Sequence, residues 1–241
     1  MINHSDVSTP GFDNTSIRAV VTDIEGTTTD ISFVHKVLFP YAHDQLPEYV
    51  NTHSAQPDVA EQIDAVRGEL KEPDASLDKV VETLLHWIET DQKVTPLKAL
   101  QGMMWADGYQ RGAFKGHLYS DVAPRLRQWA EAGKQLYVYS SGSVQAQKLL
   151  FGYSTEGDLT PLFSGYFDTH IGHKREAEAY QHIVSKLQLP ADEILFLSDV
   201  VEELDAAKQA GMQTLQLVRE GTQAGTQHAC VTSFDEINLT N

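Results

Sequence analysis

The sequence predicts an α/β fold, a doubly wound parallel sheet with an all-helical segment inserted after its first strand. Three observations carry this. The run Ile17 to Thr22 is almost wholly apolar and β-branched, the pattern of a strand buried on both faces. From about Phe33 to Lys115 the periodicity is helical only. From Leu118 onward, helical and strand patterns alternate, as parallel sheets with crossover helices require.

Taken in order, Met1 to Thr15 reads as a loose leader ahead of the first strand. In the insertion, Val59, Ile63, Val66 and Leu70 share one helical face. Ser76 is placed to cap a helix carrying Leu77, Val80, Val81, Leu84 and Ile88 inward. Thr95 and Pro96 read as an N-cap followed by proline at the first helical position, with Leu97, Leu100 and Met104 on one face. Four helices are expected in this segment, with Met103, Met104 and Trp105 as helical core. The expected division is an α/β core of residues 1–32 and 116–241 and a helical domain of residues 33–115.

In the second half, Val122, Leu126, Trp129 and Ala130 form a helical face that Gly133 ends. Expected strands are Gln135 to Tyr139, a short one at Tyr166 to Thr169, Ile194 to Leu197, Gln213 to Val218, and a last short one at Ala229 to Val231. Expected helices run from Val144 to Phe151, from Glu176 to Leu187, and up to Ala210 with Gly211 closing.

Hydrophobic residues make up 41% and charged residues 22%, ordinary globular values. The formal net charge of -16 argues against nucleic acid and anionic membrane surfaces, which need Lys and Arg. It leaves room for a small phosphorylated substrate, because a metal or a few local cations can reverse the sign in one cleft. The single cysteine, Cys230, forms no internal disulfide and fits a reducing compartment. The polar start lacks a secretory or transit pattern, and no apolar run spans a membrane, so a cytoplasmic protein is expected.

Chemistry-bearing residues gather at strand ends. Asp23 and Glu25 follow the first strand, with Gly26 to turn the chain and Thr27, Thr28 and Thr29 to offer hydroxyls and N–H groups to an anion. Ser140 and Ser141 follow the second strand, Asp199 ends a later one, and Lys174 precedes a helix between them. Carboxyl ends of parallel strands face one edge, so these groups can converge. Carboxylates with hydroxyl and carbonyl oxygens suit Mg²⁺, and a serine with a lysine suits a phosphoryl group. Each piece also has a plainer reading: Ser140 to Ser143 or Asp199 as helix caps, Lys174 as a solvated surface charge, and Glu202 and Glu203 as first-turn acids suited to the helix dipole. His170 and His173 read as a polar loop, and Cys230 as an inert thiol.

The order of these pieces resembles the haloacid dehalogenase superfamily of phosphotransferases. Asp23-Ile24-Glu25-Gly26-Thr27-Thr28 resembles its first motif, Ser140-Ser141 its second, Lys174 its third and Asp199 its fourth. The helical insertion is similar to the cap that many members carry after the first motif. Glu25 departs from the Asp usual two residues after the nucleophile. The strings DIEGTTTDISFVHKVLFPYA, YSSGSVQAQKLLFGYSTEGDL, FDTHIGHK and ILFLSDV resemble the enolase-phosphatases of methionine salvage in particular.

That resemblance implies a Rossmann-like core with a helical cap and a bifunctional, Mg²⁺-dependent enzyme, one ion per subunit, acting as a monomer. The implied substrate is the phosphorylated diketone 2,3-diketo-5-methylthiopentyl-1-phosphate. It would be enolised, then dephosphorylated to 1,2-dihydroxy-3-keto-5-methylthiopentene through an aspartyl phosphate. By motif, Asp23 is implied as nucleophile and metal ligand, Glu25 as acid/base and metal ligand, and Asp199 as metal ligand. Ser140, Ser141 and Lys174 are implied to hold the substrate.

Overall fold

Six strands form one parallel sheet in the order β3-β2-β1-β4-β5-β6. They are β1 (Ala19–Thr22), β2 (Gln135–Tyr139), β3 (Phe163–Phe167), β4 (Ile194–Ser198), β5 (Gln213–Leu217) and β6 (Ala229–Val231). The computed structural model describes residues 16–239, and the expected leader Met1 to Thr15 lies outside them. The chain divides into two compact units, one of residues up to Ile31 and from Gly116 onward, the other Ser32–Lys115.

In the first unit β1 lies between β2 and β4, and all four of its residues are buried. The strand order reverses there, and such a reversal opens a crevice at the carboxyl ends of the two strands. β1 is shorter than the expected Ile17 to Thr22, because its neighbours begin opposite Ala19. β3 runs earlier than the expected Tyr166 to Thr169. Ser164 and Gly165 obscure its apolar pattern, but as an edge strand it needs only one partner, and it pairs from Phe163 opposite Leu136. It ends where Asp168 turns back, its carboxylate accepting from the N–H groups of His170 (3.0 Å) and Val144 (3.3 Å).

The flanking helices bury Tyr180, Ile183 and Leu204 with Tyr139 and Phe196 in one cluster against the sheet. Gly133 and Gly211 close two of them with φ of 79° and 90°, a left-handed backbone that costs glycine little.

The second unit is helical throughout, its main helices being α1 (Phe39–His53), α2 (Pro57–Leu70), α3 (Leu77–Glu89) and α4 (Thr95–Arg111). A π-helical turn, Val34–Leu38, leads into α1. Pro40 and Pro47 within α1 blur its signal in the sequence. Ser76 caps α3, accepting from Lys79 N–H at 3.3 Å. At α4 the expectation is corrected: Val94 is the N-cap, and Thr95 and Pro96 are the first two helical residues. First-turn N–H groups have no helical partner, so proline fits at the second position as well as the first. Ala42, Leu46, Val59, Ile63, Leu84, Leu100 and Met104 form this unit's own core, with Met103 and Trp105 packed against it. Among the described residues no helix is long and apolar enough to cross a membrane.

Candidate active site

The carboxyl end of β1 delivers Asp23, 3% exposed, to the crevice, with its N–H bonded to Leu197 of β4 at 2.9 Å. The turn that follows folds on itself. The N–H groups of Thr27, Thr28 and Thr29 all point at the Ile24 carbonyl, at 3.1, 2.9 and 3.0 Å. The threonine hydroxyls are committed too: Thr28 to the Ile24 carbonyl (3.2 Å), Thr29 to His117 Nδ1 (2.9 Å), and Thr27 accepting from Asp199 N–H (3.0 Å). This corrects the expectation that the threonines offer their groups to an anion. Their role here is to fix the turn. Gly26 has φ of 78°, and a Cβ there would collide with the Asp199 carboxylate.

Ser140, fully buried at the end of β2, donates its hydroxyl to Glu25 Oε2 at 3.2 Å and accepts Gly142 N–H at 3.1 Å. Ser141 is exposed, and Ser143 is the cap of the following helix, accepting from Ala146 N–H at 3.2 Å.

Lys174 is not a surface charge. It is 6% exposed and pairs with both Asp23 and Glu203, the latter at 2.7 Å. Its carbonyl accepts from Tyr180 at 2.7 Å, which fixes the backbone that presents it. Glu203 is the site residue that the sequence reading missed. It does stand in the first turn of its helix, but it is buried, accepts from Ser198 Oγ at 3.0 Å, and faces the lysine. Its position four residues after Asp199, one helical turn on, was the available signal.

Asp199 does not cap the helix that follows it; Val200 occupies that position. Its N–H is held by Thr27 and its carbonyl by Gln216 Nε2 at 2.9 Å. Its Oδ1 is buried and has no hydrogen-bond partner among the described residues.

Among the described residues, Lys174 thus pairs with two of a group of four carboxylates, Asp23, Glu25, Asp199 and Glu203, whose charges act on one another. Burial, then the charge of Asp23, pushes the Glu25 carboxyl above its ordinary range. The same two causes raise Asp199 to about 6 and Glu203 to about 7, in Glu203 against the pull of Lys174. Burial works against the charge of Lys174, but Asp23 and Glu203 outweigh it and hold the ammonium above its ordinary value.

No three His, Cys, Asp or Glu side chains among the described residues form a closed metal cage. Mg²⁺ needs none, since it keeps several waters and takes one or two carboxylates. A buried carboxylate oxygen without a partner, among oxygen donors with excess negative charge, fits such a partly hydrated ion. His170 is exposed and paired with Asp168 at 2.7 Å, and Cys230 lies against Gln216 Oε1 at 3.4 Å.

Residues 17–211 match the family model of the haloacid dehalogenase-like hydrolases. The "Enolase-phosphatase E1" of Erwinia tasmaniensis is 57% identical over 222 residues, 92% of this chain and 97% of that protein. That of Pseudomonas aeruginosa is also 57% identical, over 92% of this chain and 98% of its own. The crystal structure of the UTR4 protein of Saccharomyces cerevisiae superposes with a TM-score of 0.77 at 33% identity, covering 91% of this chain and 99% of that one. The chain belongs to the haloacid dehalogenase-like hydrolases and, within them, to the enolase-phosphatase E1 family.

Proposed function

We propose that this protein is the enolase-phosphatase of methionine salvage, converting 2,3-diketo-5-methylthiopentyl-1-phosphate to the acireductone 1,2-dihydroxy-3-keto-5-methylthiopentene and phosphate. The observation that supports it most is Asp23, buried at the β1/β4 switch point, paired with Lys174, and near enough to Asp199, whose Oδ1 has no partner among the described residues, for its charge to raise that carboxyl. The reading extends to a cytoplasmic monomer in which the helical unit serves as the cap domain.

Mg²⁺ is the ion proposed here, held by Asp23 and Asp199 and by Glu25 through main chain or side chain. When bound, it neutralises charge on the phosphoryl group and polarises the dicarbonyl. Glu25 acts as acid and base. In the first step it takes a proton from carbon and returns one to oxygen, giving the enol phosphate. In the second, an Asp23 carboxylate oxygen bonds to phosphorus as the ester P–O bond breaks. The leaving enol oxygen keeps the electron pair and takes a proton from Glu25, which solvent has reprotonated after the first step. Water then attacks the aspartyl phosphate, its proton passes to Glu25 and from there to solvent, phosphate departs and the Asp23 carboxylate is restored. A raised carboxyl pKa suits a group that must hold a proton between steps. Lys174 holds the phosphoryl oxygens, with Ser140 and Ser141 completing the substrate grip.

The test mixes the purified protein with the diketone phosphate, following the enol by absorbance and phosphate release in parallel. Both are expected with Mg²⁺ and neither in excess chelator. Full activity in chelator, or no enol and no phosphate with Mg²⁺, would overturn the reading. Phosphate release from simple esters alone would point to another phosphatase of the superfamily.

A further inference from the structure

Arg219 lies just beyond β5, in a segment to which the chemistry above gives no part. It is 9% exposed, and a guanidinium so placed needs its charge and donors satisfied. Asp121 supplies the charge, its two oxygens accepting from the two terminal nitrogens at 3.1 and 2.8 Å. Tyr119 lies beneath the guanidinium, its ring centre 4.2 Å from the central carbon. One terminal nitrogen also donates to the Thr232 carbonyl at 3.1 Å.

Two remaining donors converge elsewhere. Nε and a terminal nitrogen both donate to the Thr27 carbonyl, at 3.2 and 3.1 Å. Thr27 is fully buried, and its hydroxyl accepts the N–H of Asp199 at 3.0 Å. Asp121, Arg219, Thr27 and Asp199 thus form an unbroken chain of direct contacts. It ends on the residue whose carboxylate carries the partnerless oxygen. A tie that served only to hold the C-terminal segment would need Asp121 and Thr232. The paired donation to Thr27 connects the segment to the turn between Asp23 and the rest of the site.

We propose that Arg219 is a positioning residue for Asp199, acting through Thr27, so that the Asp199 carboxylate is held ready for Mg²⁺. The proposal rests on the functional reading above. Only a planar fork donates twice to one carbonyl while gripping a carboxylate with its other edge; a lysine in its place keeps the charge and loses the geometry.

The test compares wild type, Arg219→Lys, Thr27→Val and the double variant. Mg²⁺ binding is titrated by calorimetry, melting is measured in chelator, and kcat and KM are measured with the diketone phosphate. Partners behind metal ligands typically contribute 10- to 100-fold in affinity, so Arg219→Lys is expected to weaken Mg²⁺ binding about 10-fold. kcat should fall with it while KM for the organic substrate stays within about two-fold, since the residue touches no substrate. Thr27→Val should do the same, and the double variant should be no worse than the worse single one, because both break one chain. Unchanged Mg²⁺ binding in Arg219→Lys with only a lower melting temperature would overturn the proposal, as would losses that multiply. If Arg219→Lys does not fold, Asp121→Asn decides: weaker Mg²⁺ binding supports the proposal, and wild-type binding overturns it. Wild-type turnover with Mg²⁺ binding insensitive to these substitutions overturns this inference alone. A wild-type protein that binds no Mg²⁺ overturns the functional reading and this inference with it.

Discussion

Lys174 Nζ stands 2.7 Å from Glu203 Oε2, and both side chains are buried while the lysine also pairs with Asp23. Removing the lysine leaves two carboxylates confined without their cation, a change that typically costs roughly 3–5 kcal/mol. Lys174→Ala should lose stability of that order in urea denaturation at pH 8. The loss should be smaller at pH 5, where Glu203 takes up a proton. Phosphate release should fall roughly 10²-fold or more, the usual cost of one electrostatic stabiliser. Unchanged kinetics would remove Lys174 from the proposed phosphate grip.

The raised carboxyls predict how the metal-free protein responds to pH. Asp199 moves from 3.8 to about 6 and Glu203 from 4.5 to about 7 on folding. A folded acid with a raised pKa binds its proton more tightly than the unfolded one, so its stabilising contribution is complete below the unfolded value and is lost as pH rises through the folded value. The melting temperature in chelator should therefore fall between pH 5 and pH 8, with the steepest change near pH 6 to 7. Added Mg²⁺ should flatten that slope by stabilising the ionised forms. Glu203→Gln should flatten it without metal. A melting temperature that rises with pH in chelator would show that these acids are not raised.

Gly26 packs directly against the Asp199 carboxylate, a ligand of the proposed metal. Gly26→Ala forces a left-handed backbone on alanine, at roughly 1–2 kcal/mol, and its Cβ would displace the Asp199 carboxylate. Modest loss of stability with severe loss of Mg²⁺ binding is expected, read by calorimetry and melting on the same sample. Near-normal Mg²⁺ affinity would mean that Asp199 has another place to go.

Asp23→Asn should abolish phosphate release, because an amide does not attack phosphorus as a carboxylate does. Enolisation does not need that attack, so the enol phosphate should form and accumulate. Glu25→Gln should impair both steps if, as proposed, its carboxyl is used in each. Rapid-mix absorbance with parallel phosphate measurement separates the cases. A normal rate of enol formation in Glu25→Gln would place the base elsewhere.

Much of this was legible along the chain. The buried strand before Asp23, the alternation after Leu118 and the helical face at Val59, Ile63 and Val66 follow from local periodicity, which burial imposes on sequence directly. β3 departs from the expected Tyr166 to Thr169 because Ser164 and Gly165 interrupt its pattern, and Thr95 is helical rather than the expected cap because proline suits both of the first two helical positions.

By itself the sequence determined the α/β class, the helical segment after β1, and the order of Asp23, Ser140, Lys174 and Asp199 at strand ends and before a helix. These are local properties, carried by residue type and spacing. Only the tertiary structure decided which polar side chains are shared among elements. A first-turn glutamate in water and Glu203 on a buried lysine are spelled alike, and nothing near Arg219 in the chain announces Thr27, 192 residues away. The strand order decides both. It sets β4 beside β1 and β5 beside β4, so that Asp199 meets the Asp23 turn and Arg219 closes behind it. Burial then makes each unpaired charge costly enough that these few contacts fix where Asp23 and Glu203 point.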